Sequence, residues 1–169
     1  LTLLKMFMMF IHIGAGVMWV GGLAYLRFIV LPTLSSAAPT VRGPIMVELG
    51  PRTVRYMLRL AEITIVTGIL SIFLANRISS LDQLFITSWG GVIFFGLAGT
   101  LVIYIMGQAV TRPTTMRIAE TLQAVAAGTP PANAPALLEA LANKQRNMLT
   151  LQLAIATVVI LTMAVARFS

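Results

Sequence analysis

The sequence predicts an all-α integral membrane protein: a four-helix bundle with a cytoplasmic amphipathic helix between spans three and four. Three observations carry this prediction. The chain is 58% hydrophobic and 10% charged, with a mean hydropathy of +0.92, whereas a soluble domain carries about 25% charged residues. Its apolar runs are long enough to cross a bilayer, which takes ~20 residues at ~1.5 Å each. Its basic residues gather near the ends of those runs. The net charge of +7 therefore reads as topology and contact with anionic lipid, not as nucleic-acid binding. The absence of cysteine excludes disulfides, thiolate metal sites and iron–sulfur clusters.

The first span covers about residues 4–31. Its apolar run far exceeds the roughly 7–15 residues of a signal-peptide core. The chain opens on Leu1, and its true start is expected upstream. Pro32 is expected to end this helix, and residues 34–51, rich in Pro, Gly, Ser and Ala, read as a loop with a short interfacial turn over 41–49. The second span, about 56–76, is approached by Arg52, Arg55 and Arg59 and carries Glu62. Ser80-Leu81-Asp82-Gln83 reads as a capping box that starts the third span, about 84–111, which is expected to stop at Arg112-Pro113. Residues 113–127 read as a surface helix, with Ile118, Ala119, Leu122, Val125 and Ala126 on one face and Arg117, Glu120, Thr121 and Gln123 opposite. Gly128-Thr129-Pro130-Pro131 breaks it. The last helix starts near Pro135 and runs to Arg167. At ~50 Å it outreaches the bilayer, so its span is about 146–167 and its first turns, with Glu139, Lys144 and Arg146, stand in water.

Charge sets the orientation. With four spans, Lys5, Arg77 and Arg167 share one side with both termini. Arg27, Arg42, Arg52, Arg55, Arg59, Arg112, Arg117, Lys144 and Arg146 share the other. The positive-inside rule puts the second group in the cytoplasm and both termini outside a cell membrane. His12, seven residues past Lys5, then lies ~10 Å inside the outer face.

Two constellations on this frame carry chemistry. The only histidine, His12, has Met8 and Met9 at i−4 and i−3, on its own side of the helix. Imidazole with thioether suits copper, above all Cu(I), better than a hard cation. Imidazole is also a common axial ligand of haem, and glycines at 14, 16, 21 and 22 would let a macrocycle approach the backbone. Packing of helix on helix is the simpler reading of those glycines, and of Gly90, Gly91, Gly96 and Gly99. At the cytoplasmic end, Arg55, Arg59 and Glu62 are spaced i, i+4, i+7, and Glu62 is expected near the depth of Tyr25 and Arg27. An Arg27–Glu62 or Arg59–Glu62 pair follows, and the arginine forks match a propionate or phosphate. No phosphate loop, dinucleotide fingerprint, nucleophile elbow or zinc-protease motif occurs, and whether the protein is an enzyme is left open, with a non-enzymatic role the first expectation and an oxidase the alternative.

The string His12, six residues, then Trp19-Val20-Gly21-Gly22 resembles the first helix of the copper resistance protein D (CopD-like) family. Leu31-Pro32, then Arg52-Thr53-Val54-Arg55, Arg59 and Val66-Thr67-Gly68, resemble small four-helix relatives. So do Asn143-Lys144-Gln145-Arg146-Asn147 and a last span containing Met163. The resemblance implies a four-helix membrane bundle and copper transport or tolerance, with His12, Met8 and Met9 as ligands. His12, Trp19, Tyr25 and Arg27 also resemble a string in the HemJ-type protoporphyrinogen oxidases, which implies haem b as the alternative cofactor, held by these residues with Arg59 and Glu62. The chain departs from that enzyme in having no further histidine and in a Tyr25–Arg27 spacing one residue short. A homodimer, or an accessory role in a larger membrane complex, is the third expectation.

Overall fold

The computed structural model describes residues 2–74, 85 and 87–166. It is all-helical: α1 (Thr2–Tyr25), a π turn (Leu26–Val30), α2 (Leu31–Ser36), α3 (Pro39–Leu74), α4 (Ser88–Met106), a second π turn (Gly107–Thr111), α5 (Arg112–Ala126) and α6 (Ala134–Ala166). These merge into four rods, Thr2–Ser36, Pro39–Leu74, Ser88–Ala126 and Ala134–Val165, each long and apolar enough to cross a membrane. The bundle expected from the sequence is therefore present.

The proline positions differ from expectation. Pro32 does not end the first helix, and Arg112-Pro113 does not end the third; both prolines sit in the first turn of a helix that continues. A proline lacks the N–H for the bond to residue i−4, and its ring crowds that carbonyl. Here the turn just before each proline widens: Leu31 N–H reaches Leu26 O and Arg112 N–H reaches Gly107 O, one residue further back than in an α-helix. The widening makes room for the ring, and the rod goes on.

Residues 34–51 are likewise not a loop with a turn at 41–49. Only a break at 37–38 separates α2 from α3, and α3 carries Pro44 and Pro51 inside it. Glu48 and Arg52, an exposed i, i+4 ion pair, bridge the turn that Pro51 weakens. The rods of 35, 36, 39 and 32 residues exceed the ~20 needed for a bilayer, and their Arg-rich ends build a second helical layer. Residues 113–127 belong to this layer instead of lying alone on a surface. Thr114, Thr115, Ile118, Ala119 and Thr121 are buried, α5 packs chiefly on α3 and then on α6, and Gln145 Nε2 donates to Thr115 Oγ1 at 3.3 Å.

The expected break after α5 is a Schellman close. Gly128 has φ +74°, its N–H bonds Val125 O at 3.2 Å, and Thr129 N–H bonds Ala124 O at 3.0 Å. The capping box at Ser80–Gln83 and the start of span three near residue 84 lie outside the described residues, as do the ends of spans two and four at Asn76 and Arg167. Among the described residues, α4 begins at Ser88 with Thr87 as its cap, whose Oγ1 accepts from Gly90 N–H at 3.0 Å.

Packing is by hairpins: α1 lies along α3, and α4 along α6. Trp19 is buried with Ala15 and Leu23 against Leu60, Ala61, Ile103, Leu149 and Ala156. Glycines permit the close approach in both pairs. Met57 occupies the space beside Gly22, Met163 the space beside Gly96, and Val159 the space beside Gly99, while Gly14, Gly21 and Gly91 face open space.

Candidate functional site

The α1–α3 seam is antiparallel, with Gly22 against Met57, Gly16 against Thr64 and His12 against Gly68. His12 is half-buried in it, and its Nδ1 lies 2.8 Å from Thr64 O. A carbonyl oxygen only accepts, so Nδ1 carries a proton and donates; in the neutral ring the lone pair is then on Nε2. The ring rests on Gly68: a Cβ there would lie 2.7 Å from Cε1 and 3.0 Å from Nδ1. Glycine at 68 is thus what lets the imidazole reach the α3 backbone.

The two methionines diverge. Met8, one turn before His12, is half-buried, whereas Met9 is 46% exposed on the flank of α1. An i−4 residue lies over the same stripe as His12; an i−3 residue is rotated ~60° away from it. Met163 fills the α4–α6 seam at Gly96. Among the described residues no group of three or more His, Cys, Asp or Glu is placed to hold a metal ion, so a metal at this seam would rest on His12 Nε2 and thioether sulfur.

The constellation at the Arg-rich end is assembled differently from its expected form. The register of the seam puts Glu62 level with Met18, about two and a half turns from Arg27. Arg59 Nη1 pairs with Glu62 Oε2 at 2.8 Å, as one of the two expected pairs. Arg27 instead reaches across to α6, where Nε donates to Thr150 Oγ1 at 2.9 Å. Tyr25 is 59% exposed and joins neither. The other oxygen of Glu62 accepts from Tyr104 OH at 3.1 Å, and Gln108 Nε2 donates to that hydroxyl at 3.0 Å. Arg112 Nη1 then donates to Gln108 Oε1 at 3.4 Å. The result is a polar chain from Arg59 through Glu62, Tyr104 and Gln108 to Arg112, linking α3 to the third rod.

Tyr104 and Gln108 are the residues that sequence reasoning missed. Their signal was present: Tyr104, Gln108 and Arg112 recur at i, i+4, i+8 in an otherwise apolar run, one polar stripe along a helix. Trp19, between the two constellations, is a core residue.

Fold and sites together define a four-helix membrane bundle with an imidazole at one seam and a half-buried carboxylate chain at another. Comparisons with protein-family models, curated proteins and solved structures return no match.

Proposed function

We propose that this protein handles a copper ion, as Cu(I), near the outer face of the cell membrane, with His12 Nε2 and the Met8 thioether as donors. The observation that carries the reading is the Nδ1–H···O=C bond from His12 to Thr64. A metal-bound histidine ordinarily gives its other N–H to a carbonyl or carboxylate, which fixes tautomer and ring orientation. The donor set is soft and small, as Cu(I) favours. Met9, on the exposed flank, drops out of the set. The nine basic residues on the Arg-rich side favour a cytoplasmic location for that side, in contact with anionic lipid, and both termini outside.

The test is competition for Cu(I) between purified protein and a chromogenic chelator. His12→Ala abolishes binding, Met8→Leu weakens it, and Met9→Leu leaves it unchanged. Equal copper in the native chain and His12→Ala would overturn the reading. A Soret band lost in His12→Ala would replace copper by haem b, and co-purifying membrane proteins indifferent to His12→Ala would replace it by an accessory role.

A further inference from the structure

A cavity of about 70 Å³ lies inside the Arg-rich half of the bundle, away from His12. Both π turns wall it, with Leu26 and Val30 from the first and Gly107 and Thr111 from the second; Met57 and Gln152 come from α3 and α6. Its lining is mostly apolar, but two polar atoms in it are buried without a hydrogen-bond partner: Gln152 Oε1 and Thr111 Oγ1. Gln152 is 3% exposed and Thr111 8%. The Gln152 amide is committed, because Nε2 donates to Ile103 O at 3.3 Å. Its Oε1 therefore only accepts. The Thr111 hydroxyl is free to donate.

That pair of unpartnered atoms selects a partner. A hydroxyl group has both functions they lack, a proton for Gln152 Oε1 and a lone pair for the Thr111 hydroxyl. A carboxylate has no proton to give, and a cation meets no counter-charge among apolar walls. Buried orphans of this kind are costly, so an occupant that completes them is favoured.

A second, shallower hollow of about 310 Å³ lies on the outside of the α1–α3 seam, beside Gly22, Tyr25, Arg52 and Tyr56. It shares Leu26, Val30, Leu49, Thr53 and Met57 with the inner cavity. The partition between them is one layer of side chains, which includes flexible Met57 and a π turn, a helix defect that recurs at functional sites. A molecule dissolved in the bilayer thus has a short way in.

We propose that the cavity binds a neutral lipophilic alcohol, its hydroxyl held by Gln152 and Thr111 and its chain leaving through the α1–α3 seam. Water carries the same O–H chemistry, and ~30 Å³ per molecule lets about two fit, so the test separates the two sources. The full chain in lipid nanodiscs is photolabelled with an octanol bearing a diazirine on its chain, and adducts are mapped by mass spectrometry. Adducts concentrate at cavity residues such as Met57 and Leu149, excess octanol suppresses them, and octane does not. Gln152→Met and Thr111→Val each weaken the octanol competition about five- to tenfold, the effect of one lost hydrogen bond. Equal competition by octane, which needs no variant, would overturn the proposal. So would labelling confined to lipid-facing residues such as Phe10 and Val17, which would leave water as the occupant.

Discussion

Gly68→Ala tests the seam at which His12 sits. An added methyl would stand 2.7 Å from His12 Cε1 and 3.0 Å from Nδ1, inside van der Waals contact. The ring cannot retreat without giving up the 2.8 Å bond to Thr64 O. Overpacking costs about 1–3 kcal/mol and the lost hydrogen bond about 1 kcal/mol. Replacing a mid-helix glycine by alanine returns up to about 1 kcal/mol. The net is a destabilisation of roughly 1–3 kcal/mol. In a His12→Ala background the ring is gone, only the helix-propensity gain remains, and the same substitution becomes neutral or stabilising. Reversible unfolding in mixed micelles with increasing SDS, on the four members of the cycle, measures this coupling. A Gly68→Ala protein within ~0.5 kcal/mol of the native chain, or one equally destabilised with and without His12, would refute the seam geometry.

In the second seam, Gly99→Ala meets stiff Val159 Cγ2 at 2.6 Å, while Gly96→Ala meets only the flexible end of Met163. Unfolding should show the first costing about 1–3 kcal/mol and the second less. Glu62→Gln keeps an acceptor for Tyr104 but loses the ion pair to Arg59, whose side chain is 79% exposed; the expected cost in the same assay is small, about 0.2–1 kcal/mol. Glu62→Ala also strands the Tyr104 hydroxyl and should cost more than Glu62→Gln, and an equal cost would separate Tyr104 from the chain. Gln152→Met removes the unpartnered Oε1 and, with Nε2, the 3.3 Å bond to Ile103 O; the two effects offset, so the unliganded protein should change by less than about 1 kcal/mol, and a loss above about 2 kcal/mol, more than the Nε2 bond accounts for, would show that Oε1 is hydrogen-bonded as well.

The element most misread from sequence is the run 34–51. Its prolines, glycines and serines are loop residues by local rule, yet Pro44 and Pro51 lie within α3. The difference is tertiary: Gly50 packs on Thr115, with a Cβ position 2.9 Å from Thr115 Cγ2, so this run continues as helix in contact with α5. Pro32 and Pro113 are misread similarly, because a π turn ahead of each absorbs the clash and leaves no mark in a hydropathy pattern. The Schellman close at Gly128 was legible, since glycine past a helix end meets a purely local requirement for positive φ.

The sequence by itself determined the number of apolar rods, the Arg-rich side of the bundle, and His12, Glu62 and Arg59 as its uncommon polar features. These follow from composition and from periodicity along one chain. Only the tertiary structure decided which polar groups meet: His12 with Thr64 O, Arg27 with Thr150 instead of Glu62, and Tyr104 with Glu62. Contacts between helices depend on the relative register of two rods. That register is set by where glycines such as Gly22, Gly68 and Gly96 let one helix sink into another, a fit between two surfaces that neither sequence segment contains alone.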